Sequence, residues 1–166
     1  LAPEHPLVLA ITPPIDPYDR EVKNYQRQVM LKSDLQRTDL SKEKTGVFTG
    51  AYAINPVFDQ GDPRARIPIW IADYVLWTYG TGAIMAVPAH DERDFAFAKA
   101  HRLPVRVVIV PEGHEPAAEP EQAFTEPGRM HDSGPFSGLP SESAERKIVE
   151  WLQRRGAGTA TVNYKL

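Results

Sequence analysis

Two aspartates, an arginine and a histidine crowd into the run Pro88-Ala89-His90-Asp91-Glu92-Arg93-Asp94. Asp91 stands where a helix N-cap belongs, ahead of an amphipathic stretch from Phe95 to His101, and Asp94 falls three residues on, at N3. Capping the free N–H groups of the helix is by itself a sufficient reason for both carboxylates. The chemical alternative is that the end of a preceding strand and the helix start floor a cleft, where His90, Asp91, Arg93 and Asp94 face a polar ligand. Carboxylates in that place favour a cationic partner, such as a substrate ammonium group.

Other chemistries have less support. A metal centre needs three or four converging ligands, and beyond the His90-Asp91 pair the remaining histidines, His5, His101, His114 and His131, are scattered. No metal is expected. The chain has no cysteine, which removes thiolate nucleophiles and disulfides. No serine sits in a Gly-x-Ser-x-Gly elbow, so a Ser-His-Asp triad has no footing. Gly80-Thr81-Gly82 is too short for a phosphate loop and lacks the lysine that would follow. These glycines read as a tight turn, or as a close backbone approach to a ligand.

The elements that must position this site follow from periodicity. Tyr79 to Gly82 predicts a turn, Ala83 to Val87 a short buried strand, and Asp91 onward a helix burying Phe95 and Ala98, with Phe97 or Leu103. On such a strand Met85 and Val87 share a face and could size an aliphatic side chain. Upstream, Leu7 to Thr12 reads as a buried strand. Asp16-Pro17 starts a helix reaching about Leu35, whose face of Tyr18, Val22, Tyr25 and Val29 reads as core. Residues 36 to 45 read as a polar, mobile connection. Gly46 to Ile54 alternates as a strand, ended by Asn55-Pro56. Phe58 to Arg66 is a hairpin tip, and Ile67 to Trp70 and Tyr74 to Trp77 are strand-like. Downstream, Pro104 stops the helix, and the β-branched run Val105 to Val110 predicts a buried strand. The proline- and glutamate-rich stretch 111 to 128 is an exposed flap. Gly134 to Gly138 turns around Phe136. Ser141 or Ser143 caps a last helix with Ala144, Ile148, Trp151 and Leu152 on one face, Gly156 ends it, and Thr159 to Leu166 is a terminal strand. Strands in runs with helices outside suggest an α+β fold with a barrel-like antiparallel or mixed sheet and peripheral helices.

Composition bounds the rest. A length of 166 residues, 42% hydrophobic and 25% charged, fits one globular domain. A net charge of −3 argues against gripping nucleic acid by bulk charge, though not against a local contact with one RNA end. No apolar run approaches the roughly 20 residues of a membrane span, and no signal peptide is apparent. The chain starts without Met, and both ends read as cuts in a longer protein.

The stretch Tyr79-Gly80-Thr81-Gly82-Ala83-Ile84-Met85-Ala86-Val87-Pro88-Ala89-His90-Asp91-Glu92-Arg93-Asp94 resembles the editing (connective peptide 1) domain of bacterial-type leucyl-tRNA synthetases. So do Lys44 to Pro56, Ile67 to Leu76, Asp132 to Phe136 and the tail Thr161 to Leu166, in the same order. The resemblance implies hydrolysis of amino acids wrongly esterified to the 3′ end of tRNA(Leu). It exists because a binding pocket distinguishes one methylene by only ~1–3 kcal/mol, a problem general to synthetases. Carried over by residue, Asp94 would hold the α-ammonium of the misattached amino acid, as the catalytic residue that positions the reacting groups for attack by water. Tyr79, Met85, Val87, His90, Asp91 and Arg93 would line the pocket or its mouth. The family also carries a threonine-rich strand just before the point matching Leu1. Residues 1–166 are thus expected to be a single editing-domain fragment, without that strand and without the aminoacylation body, and with half a pocket. The implied partners are the tRNA(Leu) 3′ end carrying a noncognate amino acid and the rest of the synthetase, with no membrane and no DNA. Editing itself implies no cofactor, ATP and magnesium belonging to the aminoacylation body, and a cytoplasmic location is expected. An isoleucyl- or valyl-type editing domain is the near neighbour. A non-catalytic tRNA-end-binding module is the alternative of a different class.

Overall fold

The computed structural model describes residues 1–39, 43–59, 61–78 and 80–161. The chain divides into two compact units, Leu1–Met85 and Ala86–Leu166. Both mix helices with short antiparallel ladders, so the content is α+β.

In the first unit a hairpin of β1 (Gly46–Ile54) and β2 (Arg66–Ala72) carries three helices, α1 (Leu7–Ile11), α2 (Tyr18–Val29) and α3 (Asp34–Thr38). The alternation read from Gly46 to Ile54 forms β1 with the expected bounds, and the described residues of 58–66 lie at the tip of the hairpin. The register runs Val47 to Ile71 and Phe48 to Trp70, shifts, and resumes at Tyr52 to Pro68. Gly50 sits inside the shift with φ +82, a region costly for residues with a Cβ. A Cβ there would meet the Tyr18 ring at 2.9 Å. The missing side chain thus gives α2 its seat on the hairpin, and Tyr18 packs edge-on against Phe48 at 5.8 Å.

The stripe on α2 is core as expected. Val22, Tyr25 and Val29 are buried together with Val8 and Ile71, and Leu1 and Val47 pack against them. Burial and the Asp73 charge push the Tyr25 hydroxyl pKa upward, against the Thr45 bond and the Arg37 charge that favour the phenolate. That hydroxyl meets the Thr45 carbonyl oxygen at 2.7 Å.

Several expectations about this unit are corrected. Leu7–Ile11 is a helical turn, not a strand. Val8 and Thr12, four residues apart, point inward, and the Thr12 hydroxyl donates to Val8 O at 2.6 Å. A run this short cannot be assigned from apolarity alone. Asp16 does not cap α2; its carboxylate pairs with Arg20 at 3.3 Å. The helix stops at Val29 rather than near Leu35, because Ser33 and Gln36 form a capping box that begins α3. The described part of 36–45 is not a loose polar connection. Arg37 is buried, chelating Glu4 and donating to Asp73 O at 2.7 Å and Val75 O at 2.9 Å. Lys32 pairs with Asp73 at 2.7 Å. Lys32, Arg37 and Asp73 border a cavity of about 250 Å³ with Gln36 and Lys44. Tyr74 to Trp77 forms turns instead of a strand.

In the second unit, α4 (Glu92–Ala100) is followed by β3 (Ile109–Val110), β4 (Arg129–Met130) and α5 (Ser141–Arg154). Only the last two residues of the run Val105 to Val110 join a ladder, pairing Ile109 with Met130 and Val110 with Arg129. The stretch 111–128 has no helix or strand, as expected. Ala144 is buried on α5, and Ile148, Trp151 and Leu152 on the same face are half-buried. Trp151 packs edge-on against Phe136 at 6.3 Å. Neither Ser141 nor Ser143 caps α5 with its side chain; the Ser141 hydroxyl accepts from Gly128 N at 3.2 Å. Gly156 turns with φ +63. Of the expected terminal strand, 159–161 carry none, and 162–166 lie outside the described residues.

The ladders are two-stranded, β1–β2 and β3–β4, and among the described residues neither closes into a barrel. On its other edge β2 receives Leu1. The Leu1 amino group donates to Trp70 O at 2.7 Å, and Ala72 N donates to Leu1 O at 3.2 Å, the pairing pattern of a parallel neighbour.

Candidate functional site

The expected site residues fall into three groups. Tyr79 lies outside the described residues. Met85 ends the first unit and is 72% exposed. Val87, His90, Asp91, Arg93 and Asp94 belong to the second unit and gather around one turn.

The glycine turn before them forms as read. Gly80 and Gly82 have φ +61 and +72. A Cβ on Gly82 would strike the Trp77 ring at 2.6 Å, and that ring packs edge-on to His5 at 5.1 Å. The glycine therefore answers to the fold of its own unit. The buried strand expected over Ala83 to Val87 is overturned. The segment belongs to no ladder, and all five residues are exposed. Met85 and Val87 do not share a strand face.

The helix start is built as its sequence dictates. Asp91 has extended backbone (φ −136, ψ 129), and its carboxylate accepts from the N–H groups of Arg93 at 2.9 Å and Asp94 at 3.1 Å. Arg93 folds back onto it, with Nη2 3.1 Å from Oδ2. Desolvation pushes the Asp91 pKa up, but the Arg93 side chain, the two N–H donors and the Arg93 charge outweigh it. The carboxyl is held below its ordinary value.

Asp94 does not complete a capping box. It is buried, 5% exposed, and its Oδ2 accepts the backbone N–H of Val87 at 2.8 Å. Val87 O in turn accepts from His90 N at 2.8 Å and Asp91 N at 3.0 Å. Both polar atoms of the Val87 backbone are thereby tied to the helix start. The apolar anchors of α4 are Phe97 and Ala98, with Phe95 half-buried.

His90 points its chemistry inward. Its Nε2 lies 3.1 Å from both Val108 N and Ile109 N, and its Nδ1 lies 3.0 Å from Phe124 O. Two N–H donors converging on Nε2 require it to be the unprotonated acceptor, so the network assigns the proton to Nδ1. Phe124 N also donates to Ala89 O at 2.9 Å. Sequence reading missed Val108, Ile109 and Phe124 at this place because they contribute backbone atoms, which no residue type announces. Among the described residues no group of three or more His, Asp or Glu side chains is placed to hold a metal ion.

The unit that holds this helix start, with its buried Asp94 carboxylate accepting the Val87 N–H, is of α+β content. The family model for the leucyl-tRNA synthetase editing domain matches residues 1–153, and the chain belongs to that family. It is 49% identical over all 166 residues to a leucine–tRNA ligase of Rubrobacter xylanophilus, of which it spans 19%. Among solved structures it is similar to the synthetase in the ternary complex of Agrobacterium radiobacter K84 agnB2 LeuRS with tRNA and LeuAMS. That likeness has a TM-score of 0.64 at 28% identity, over 97% of this chain and 16% of the other. The chain thus spans less than a fifth of the length of these relatives.

Proposed function

We propose that this chain is the hydrolytic editing part of a leucine–tRNA ligase, cleaving the ester that joins a noncognate amino acid to the 3′ end of tRNA(Leu). The observation that carries the reading is Asp94, buried at the start of α4 and held by Val87 N–H in a chain of this family. A carboxylate so held favours the α-ammonium of an aminoacyl ester, and a fixed ester can be attacked by positioned water without a covalent intermediate. Asp91 and Arg93 shape the mouth electrostatically, and Val87 supplies apolar contact. The proposed partners are the tRNA end and the rest of the synthetase, in the cytoplasm. The barrel-like closure implied by the family resemblance belongs to this proposal too, and it is supported by β2 accepting a neighbour on each edge.

One observation favours the non-catalytic tRNA-end module instead. Both ring nitrogens of His90 and the Asp91 carboxylate bond within their own unit. The deciding experiment is deacylation of misacylated tRNA(Leu) by the full-length parent protein and by this chain. Ester hydrolysis above the spontaneous rate by the parent supports editing, whereas tRNA binding without hydrolysis supports the second reading.

A further inference from the structure

We propose that His90 is the positioning residue of this site, a brace that sets the turn bearing Asp94 against β3 and the 111–128 segment, and not a contact to the substrate. The proposal rests on the editing reading for its activity arm only. Its geometric ground is independent of that reading.

A single imidazole serves three backbone groups from two distant segments. Nε2 accepts from Val108 N and Ile109 N, eighteen and nineteen residues away, and Nδ1 donates to Phe124 O, thirty-four residues away. The same residue's backbone N–H donates to Val87 O at 2.8 Å, and Val87 N–H donates to Asp94. One continuous path of hydrogen bonds therefore runs from β3 and Phe124, through His90 and Val87, to the carboxylate. The run Val105 to Val110 has only a two-residue ladder of its own, so the ring supplies an acceptor that sheet pairing does not supply at Val108. With both ring nitrogens engaged, the polar atoms of His90 are directed at the protein. A loosened brace would shift Asp94 by fractions of an ångström, enough to lower turnover, since reactions between positioned groups are steep in distance.

Side-chain amides separate the two ends of the ring. The amide oxygen of Gln reaches the place of Nε2, and the amide nitrogen of Asn reaches the place of Nδ1. The test uses the full-length synthetase with His90→Ala, H90N and H90Q. The readouts are hydrogen exchange in peptides covering 105–110 and 122–126, and kcat and KM for deacylation of misacylated tRNA(Leu). In H90A, exchange should rise in both segments, and kcat should fall on the order of 10-fold with KM changed less. H90Q should recover protection at 105–110 and H90N at 122–126, and H90Q should regain most of the lost kcat. Should the alanine variant fail to fold, the two amide variants each keep one end of the brace and decide the question. Unchanged exchange at 105–110 in H90A would overturn the proposal. So would H90Q with protection restored but activity as low as H90A, or a loss confined to KM, because those mark a ligand contact. If the wild-type protein shows no deacylation, the editing reading falls, while the exchange pattern still decides the brace.

Discussion

The Val87 N–H and the Asp94 carboxylate, seven residues apart, meet at 2.8 Å. Asp91 caps α4 and Asp94 does not, so two carboxylates at one helix start have separable duties. Substitution can tell those duties apart.

Asp94→Asn keeps an oxygen acceptor for Val87 N–H and removes the charge. In the full-length protein, leucine activation should persist while deacylation of misacylated tRNA(Leu) drops. A hydrogen bond to a charged group contributes ~1.5–3 kcal/mol, or roughly 10- to 150-fold in rate. Steady-state deacylation checks this, and near-wild-type editing by the variant would sink the assignment of Asp94.

Asp91→Ala should instead cost stability, about 0.5–2 kcal/mol, the usual worth of an N-cap. The Asp91 carboxyl is held below its ordinary value. Its contribution is therefore complete above the unfolded pKa of ~3.9 and is lost as pH falls through the lower folded value. Denaturant melts of both proteins should show a constant gap above about pH 5. The gap should close below about pH 4.

Gly50→Ala tests the seat of α2. The substitution forces a Cβ into a backbone with φ +82 and against the Tyr18 ring, and strain of this kind costs about 1–3 kcal/mol. Gly61→Ala is the control, since nothing lies within 4 Å of the added carbon. Equal melting temperatures for the two variants would show that the Gly50 shift does not hold the hairpin to α2.

The fourth prediction concerns Leu1, whose amino group bonds Trp70 O in a mostly buried place. Burial lowers its pKa from 8.0 to about 6. Between those values the unfolded chain binds more protons than the folded one, so stability should rise as pH is raised from 6 to 8. A longer chain, begun upstream through a threonine-rich strand, carries a neutral amide at this position and should lose that dependence. The longer chain should also deacylate faster if the upstream segment completes the pocket. Equal deacylation would place the whole site within residues 1–166.

What the sequence made legible was what depends on periodicity and on caps. The α2 stripe, the alternation of β1, the Asp91 cap and the inward face of α5 all follow from side-chain type and spacing. What it hid depends on tertiary choice. The apolar run 83–87 lies exposed because it joins no ladder, so its hydrophobicity carried no sign of its neighbours. Leu7–Ile11 coils because Val8 and Thr12 both face inward. Arg37 is buried because Glu4 and two distant carbonyls receive it. The Ser33-x-x-Gln36 box was readable and would have placed α3. The brace at His90 was not, since its partners are backbone atoms.

Between Glu112 and Pro127, Phe124 ties the long segment to the rest of its unit, through Ala89 O and the His90 ring. Gly113, with φ +73 and open space about it, lies well before that point. Added length there is tolerated thermodynamically, since each doubling of a loop costs only about 0.6 kcal/mol. A reporter peptide or small folded tag spliced between Gly113 and His114 should therefore leave the acidic turn in place. That position offers a handle for labelling or surface immobilisation on the same unit that bears Asp94.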